Sequence, residues 1–225
     1  MLFRSQEGHP VRKEDSTSYI GSFEGAGEFG LLLRQEAQRR GLAKATKVLF
    51  LGDGAAWVWE LARVNFPGAI LILDFYHALQ HVFGLVDALW GKESTEGKKR
   101  SKRWKGWLLK DKAKQMVKEA NEEFASGLDT EKAQKEIGYL ENNLERMTYG
   151  TFRKAGYFIG SGVIEAGCKT VIGKRMKCSG MFWSEEGGQG MLDLRCAFLS
   201  NRLDAFCQAR EGDHAARNDL LKLVA

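Results

Sequence analysis

Two short apolar runs, each followed by a helical pattern, dominate the first half of the chain. Residues 47–51 (Lys-Val-Leu-Phe-Leu) and 69–73 (Ala-Ile-Leu-Ile-Leu) are continuous apolar stretches without polar alternation. In residues 55–66 and 75–90, which follow them, apolar side chains recur at the three- and four-residue spacing of one helix face. Continuous apolar strands joined by helices are typical of a buried parallel sheet. The pattern therefore predicts an α/β fold.

The other segments carry mainly helical patterns. Residues 22–40 have the spacing of an amphipathic helix that ends at Gly41, whereas residues 1–15 suggest an edge hairpin or a frayed end. Residues 91–153 are charged, rich in lysine and poor in β-branched residues, which predicts an all-helical insertion.

Two further helices are predicted after the insertion. One begins near Val163, and the other runs from an N-cap at Ser184 to about Arg210. The predicted division is residues 1–90 and 154–210 for an α/β core, 91–153 for a basic helical insertion and 211–225 for a tail.

The composition is that of a soluble globular protein. Of the 225 residues, 44% are hydrophobic and 28% are charged, which excludes a disordered chain. No apolar run approaches the roughly 20 residues of a membrane-spanning helix, and residues 1–15 lack the apolar segment of a signal peptide. We therefore expect a cytoplasmic protein with no membrane partner. The four cysteines form no Cys-x-x-Cys pair, which favours buried free thiols over a zinc ribbon or a disulfide scaffold.

The net charge of +5 is unevenly distributed. Residues 98–118 contain ten basic residues and one acid, which gives this window +9 and leaves −4 for the rest. A local basic patch suggests a polyanionic partner, and tryptophans between basic residues suit stacking on bases. The alternative is a solvated lysine-rich helix face. The candidate DNA-binding residues here are Lys98, Lys99, Arg100, Lys102, Arg103, Trp104 and Lys105, and a second group comprises Lys169, Lys174, Arg175, Lys177 and Trp183.

Two aspartates follow the two predicted strands. Asp53 lies between Gly52 and Gly54, and Asp74 ends the second apolar run. Both are predicted at the carboxyl edge of the sheet, where open α/β sheets bind ligands. An aspartate at this position is also a common helix N-cap, so a purely structural role is the alternative.

Other acids and histidines add further candidates. On a helix that starts at Asp74, His77 and His81 share its face, so a metal-dependent hydrolase with ligands from Asp53, Asp74, His77 and His81 is one alternative. In the apolar stretch 160–166, Glu165 needs a metal, a cation or a polar network if it is buried. Lys169, one turn later, is its alternative partner.

Seven blocks of residues carry a resemblance to a known family. In order, they are Asp15-Ser16-Thr17-Ser18-Tyr19, residues 35–41 (QEAQRRG), 51–57 (LGDGAAW), 66–69 (FPGA), 74–78 (DFYHA), 160–166 (GSGVIEA) and 175–184 (RMKCSGMFWS). Together they resemble bacterial insertion-sequence transposases of the DDE type, and are most similar to the ISKra family. The resemblance runs from about Pro10 to Phe206.

This resemblance implies a ribonuclease H-like catalytic core interrupted by a helical insertion before the last acid. It implies that Asp53 is the second acid of the catalytic triad and Glu165 the third, and that both hold Mg²⁺ or Mn²⁺. Asp74 and His77 resemble an element that shapes the site in related groups. The reaction implied is DNA cleavage and strand transfer by two-metal phosphoryl transfer.

The sequence departs from the family pattern at one point. The first acid is expected on a strand upstream of the block at residues 15–19, and this chain contains no such strand. We therefore expect a core that is incomplete at its N-terminus and a chain that is inactive, or nearly so, by itself. The implied partners are the insertion-sequence ends and target DNA in the bacterial cytoplasm, with a possible homo-oligomer. A non-catalytic nucleic-acid-binding remnant is the second reading.

Overall fold

A computed structural model of the chain describes residues 3–6, 9–13 and 16–211. The described chain is a mostly helical α/β protein with two separate two-stranded sheets. Strands β1 (Phe3–Gln6) and β2 (His9–Arg12) pair antiparallel, which agrees with the first of the two alternatives for the start of the chain, an edge hairpin or a frayed end. Strands β3 (Leu49–Gly52) and β4 (Ile70–Leu73) pair in parallel, as their apolar runs predicted.

The helices account for most of the described residues. They are α1 (Ala26–Arg39), α2 (Ala56–Asn65), α3 (Phe75–Trp90), α4 (Thr95–Leu108), α5 (Ala113–Glu123), α6 (Thr130–Asn142), α7 (Tyr149–Lys154), α8 (Gly162–Gly167), α9 (Lys174–Met176) and α10 (Glu185–Leu199). A π-helical stretch, Cys168–Gly173, connects α8 to α9, and a further helix occupies residues 203–211. None of the helices in the described residues is both long and apolar enough to cross a membrane.

The chain divides into two compact units. The described part of the central unit comprises residues 3–6, 9–12 and 37–161, and that of the terminal unit comprises residues 13, 16–36 and 162–211. The helical segment 91–153, which the sequence predicted as an insertion, is all-helical and belongs to the central unit. The boundary at residues 161 and 162 falls immediately before α8.

One hydrophobic core of the central unit joins strands β3 and β4 with its helices. Helix α3 contributes more buried side chains to this core than any other element and packs against α4 and α6, and Ile72 and Leu73 of β4 belong to the same core. Trp104 of α4 and Leu140 of α6 are completely buried in this core. Burying a side chain of this kind contributes about 1.5–3 kcal/mol. The segment 91–153 and the strand pair therefore stabilise each other.

The terminal unit has a smaller core. Val171, Met176, Leu192 and Cys196 are its buried apolar residues. Burial raises the pKa of the Cys196 thiol to about 11. Cys168, Cys178 and Cys207 are exposed, so the expectation of buried thiols was right for one cysteine of four.

Helix α1 differs from its predicted amphipathic pattern. The helix begins at Ala26, four residues later than predicted, and it leaves Leu31 60% exposed while it buries Glu36. Glu36 is buried because its carboxylate is paired. Both terminal nitrogens of Arg202 donate to it, at 2.7 and 2.9 Å, and Ser18 donates at 2.6 Å.

The last predicted helix is interrupted. Ser184 caps α10 as expected, with its hydroxyl accepting from the backbone N–H of Gly187. However, α10 ends at Leu199, because Asn201 adopts a left-handed conformation (φ 54°) that ends a helix. The break allows the Ser200 hydroxyl to accept from the backbone N–H of Tyr19.

Candidate functional site

The site starts at the carboxyl edge of the parallel strand pair. The register pairs Gly52 with Leu73, so Asp53 and Asp74 are the next residue on each strand. The backbone N–H of Asp74 donates to the carbonyl of Gly52 and extends the pairing to this edge. The sequence predicted this placement of the two aspartates correctly.

Asp53 is exposed and lies in a sharp turn. One of its carboxylate oxygens accepts from the backbone N–H of Ala55, at 3.1 Å. Gly54 has φ 97°, a left-handed conformation that glycine adopts without a steric penalty. The turn exposes the Asp53 carboxylate to solvent, so its oxygen atoms are accessible to a ligand.

A tyrosine from α6 holds this turn. The Tyr139 hydroxyl donates a hydrogen bond of 2.5 Å to the backbone carbonyl of Asp53. Burial, together with the negative charges of Asp53, Asp74 and Glu136, raises the pKa of Tyr139 well above its usual value. The phenol therefore stays protonated and remains a donor throughout the physiological pH range.

Asp74 is a buried cap and not an open carboxylate. It is 1% exposed, and one of its oxygens accepts from the backbone N–H groups of Tyr76 and His77, both at 2.9 Å. Its other oxygen accepts a short hydrogen bond from the backbone N–H of Ser161. Asp74 thus joins the end of β4, the start of α3 and the loop that precedes α8.

The two histidines of α3 have different surroundings. His77 is exposed at the start of the helix. His81 lies one turn further, where its Nδ1 is 2.6 Å from Glu136 Oε2 and its ring stacks on Tyr139 with centroids 3.4 Å apart. In the described part of the chain, no three His, Cys, Asp or Glu side chains form a group that could hold a metal ion. The geometry gives no support to a metal site built from Asp53, Asp74, His77 and His81.

A cavity of about 460 Å³ adjoins the Asp53 turn. Gly54, Trp59, Tyr139, Asn143 and Arg146 are among the residues that line it. The Arg146 guanidinium lies 4.8 Å from the centre of the Trp59 ring, and the indole N–H donates to Asn143. The cavity therefore has an aromatic wall on which an arginine is stacked.

Glu165 belongs to the terminal unit, where it lies in the first turn of α8. It is exposed, so it needs no compensating partner for burial. Among the described residues, Glu165 forms no ion pair with Lys169, which is also exposed. The pairing considered as its structural alternative is therefore absent.

The structure corrects one of the candidate DNA-binding residues and shows ion pairs at two others. Trp104 is fully buried against Trp90, so it is not available to stack on a base. The Arg100 side chain is only 18% exposed and forms ion pairs with Glu96, Glu119 and Glu123. Arg103 also pairs with Glu119. Both guanidiniums thus have acidic partners within the protein.

The remaining basic candidates keep exposed side chains or lie near aromatic rings. Lys99, Lys102 and Lys105 are exposed on α4, and Lys98 is exposed but pairs with Glu93 at 3.0 Å. In the terminal unit, the exposed candidates include Lys169, Lys174 and Lys177. The Arg175 guanidinium lies 5.8 Å from the ring centre of Trp183.

Sequence reasoning missed Glu136 and Tyr139. A signal for them exists, because they lie three residues apart on α6 and flank Ile137 on its apolar face. A carboxylate next to the apolar face of a helix suggests a specific polar partner. The neighbouring residues in the sequence do not identify that partner.

The geometry defines a protein with an exposed acid at the carboxyl edge of a parallel strand pair. No protein-family model, curated protein or solved structure matches this chain. Its class must therefore be inferred from the site itself and from the seven sequence blocks.

Proposed function

We propose that this chain carries a DDE-type transposase catalytic core of the ISKra kind, with a ribonuclease H-like fold and a helical insertion at residues 91–153. Its reaction would be DNA cleavage and strand transfer at insertion-sequence ends. The observation that carries the proposal is Asp53, an exposed carboxylate at the edge where parallel strands place catalytic groups. The order of the seven sequence blocks supports it.

The acids present fit part of a metal site for Mg²⁺ or Mn²⁺. Asp53 offers the hard oxygen atoms that these ions prefer, and the resemblance implies the same role for Glu165, which is exposed in the terminal unit. Asp74 does not fit as a ligand, because backbone N–H groups already bond to both of its oxygens. A bound metal would stabilise the charge that develops on the phosphate during transfer.

The other residues have supporting roles in this proposal. Asp74 fixes the edge of the sheet through its three backbone partners, and His77 is exposed beside it. The exposed lysines of α4 would contact phosphates, and Lys174, Lys177 and Trp183 would form a second contact region. The protein would act on DNA as a homo-oligomer.

We expect weak activity, or none, from the 225-residue chain alone. Among the described residues no three acidic or other ligand side chains form a metal-binding group, whereas two-metal chemistry needs several carboxylates around two ions roughly 4 Å apart. In a nicking assay with Mg²⁺ and DNA, the expected result is little or no product. Robust nicking that Asp53→Ala abolishes would contradict this expectation of inactivity.

The assignment of the metal ligands can be tested without turnover. Fe²⁺ can replace Mg²⁺ in oxygen-ligand sites, and with ascorbate and peroxide it cleaves the polypeptide near the bound ion. We expect backbone cleavage close to residue 53 that is lost in Asp53→Asn, and cleavage close to residue 165 that is lost in Glu165→Gln, both suppressed by excess Mg²⁺. Glu122→Gln, which neutralises an exposed acid on α5, serves as the matched control and should leave the fragments unchanged.

Different fragments would identify the competing functions. Cleavage near residues 77 and 81, abolished by His81→Ala, would support the metal-dependent hydrolase and overturn the transposase assignment. The absence of specific cleavage, together with salt-dependent DNA binding, would favour a non-catalytic nucleic-acid-binding protein.

A further inference from the structure

The turn that carries Asp53 is held from outside the sheet. The Tyr139 hydroxyl reaches it from α6, in the helical segment 91–153, and donates to the carbonyl of Asp53 itself. The other hydrogen bonds of residues 53–55 in the described chain are local: the Ala55 N–H donates to the Asp53 carboxylate, and the Ala55 carbonyl accepts from the N–H of Val58. Tyr139 is thus the long-range anchor among the described contacts of the turn.

The shape of the turn is complementary to this anchor. A methyl group at Gly54 would overlap the Tyr139 hydroxyl and its ring edge, so the absence of a side chain there allows the contact. The left-handed conformation of Gly54 brings the backbone to the phenol. Gly54 therefore has both the space and the backbone conformation that accompany this hydrogen bond.

The tyrosine ring is itself fixed by two groups. The His81 ring stacks on it at 3.4 Å, with 19° between the ring planes, and Glu136 holds His81 through the 2.6 Å contact at Nδ1. Helices α3 and α6 approach closely here, because Gly84 lies against the Glu136 side chain. A methyl group at Gly84 would come within 2.6 Å of Glu136 Oε1.

We infer that Tyr139 is a positioning residue for Asp53, and that the His81–Glu136 pair orients Tyr139. The inference rests on the proposed function in one respect, because it takes Asp53 to be a metal ligand whose position determines metal affinity. The helical segment 91–153 then does more than display lysines: it sets the position of the exposed acid. Outer residues of this kind commonly change metal affinity 10- to 100-fold.

The test replaces Tyr139 by phenylalanine, which keeps the ring on His81 and removes only the hydroxyl. Two measurements are made on the full chain: amide hydrogen exchange of residues 53–56, and Mn²⁺ affinity from the electron paramagnetic resonance signal of free Mn²⁺. We expect exchange in the turn to accelerate about tenfold and Mn²⁺ affinity to fall about tenfold, with unchanged exchange in α3. Tyr157→Phe, another half-buried tyrosine of the central unit, is the control and should match the wild type.

The two measurements separate this inference from the function that it builds on. If the wild type binds no Mn²⁺ at Asp53, the proposed function fails, and the exchange rates alone decide whether Tyr139 positions the turn. Wild-type exchange in Tyr139→Phe would overturn the inference. If Tyr139→Phe does not fold, His81→Phe, which keeps a stacked ring but loses the Glu136 pair, should give the same changes at smaller size. Its failure to do so would also overturn the inference.

Discussion

At the scale of single residues, the Asp53 turn depends on two glycines for different reasons. A Cβ at Gly52 would lie 2.7 Å from the Val58 side chain, so helix α2 packs directly on the backbone there. Gly54 combines a φ of 97° with contact to Tyr139. Steric exclusion and backbone conformation therefore act together at Gly54, whereas Gly52 is restricted by packing.

The first prediction compares Gly54→Ala with Gly68→Ala. Gly68 also has a positive φ (80°), but a Cβ there would meet no atom within 4 Å. We expect Gly68→Ala to lower the free energy of unfolding by about 1 kcal/mol, from backbone strain alone. Gly54→Ala should cost about 3 kcal/mol, because overlap with Tyr139 adds to the strain.

Urea denaturation followed by circular dichroism measures both costs. Equal losses for the two variants would mean that the turn moves away from Tyr139 without penalty. That outcome would contradict the close contact at Gly54.

At the scale of elements, α4 has two faces with different surroundings. Its inner face buries Trp104 and Leu108, and Arg100 lies against it in an ion-pair group with acids of α4 and α5. Residues 93–123 contain ten basic and six acidic residues, a net charge of +4. The +9 window therefore overstated the patch, because five of these acids lie just outside its limits. The outer face, with Lys99, Lys102 and Lys105, is the part that remains for a polyanion.

The corresponding prediction concerns DNA affinity. Replacing Lys99, Lys102 and Lys105 together by alanine should weaken binding to duplex DNA and reduce the slope of log affinity against log salt by about 2–3. The control replaces exposed lysines outside the patch, namely Lys44, Lys135 and Lys154. Fluorescence anisotropy over a range of salt concentrations gives both slopes.

If both triple variants lose affinity equally, the effect comes from net charge alone. The patch on α4 would then be a solvated helix face, and the alternative reading of the lysine-rich segment would be correct.

At the scale of the whole molecule, the terminal unit is assembled from segments far apart in sequence. Glu36 of α1 and Arg202 are 166 residues apart, yet they form two charge-assisted hydrogen bonds. The hydrogen bond to Glu36 raises the pKa of Arg202. The Glu36 side chain is 8% exposed and that of Arg202 is 31% exposed, so solvent screens this pair less than a surface pair.

We predict that Glu36→Ala destabilises the terminal unit selectively. Removing the carboxylate leaves Arg202 partly buried without its partner, which should cost about 1–3 kcal/mol. Hydrogen exchange should show loss of protection in α10, with α3 in the central unit unchanged. Glu60→Ala removes an exposed pair with Arg63 and should have no measurable effect. Equal loss of protection in α3 and α10 would show that the two units unfold as one.

Much of the fold was predictable because its signals are local. The helix predicted at residues 75–90 has those limits in the structure; β4 lies within its predicted run, and β3 extends one residue beyond its run, to Gly52. The boundaries of α1 and the break at Asn201 were not predictable from apolar spacing. They depend on polar partners such as Glu36 and Ser200, whose contacts come from distant parts of the chain.

The sequence by itself determined the alternation of strands and helices, the helical nature of residues 91–153, and the placement of Asp53 and Asp74 at one sheet edge. These follow from periodicity and from the direction of parallel strands, which are properties of neighbouring residues. Only the tertiary structure decided that Trp104 is buried, that Arg100 has acidic partners, and that Tyr139 anchors the Asp53 turn. The partner of a polar or aromatic side chain is set by which elements pack together, and that packing depends on the whole core.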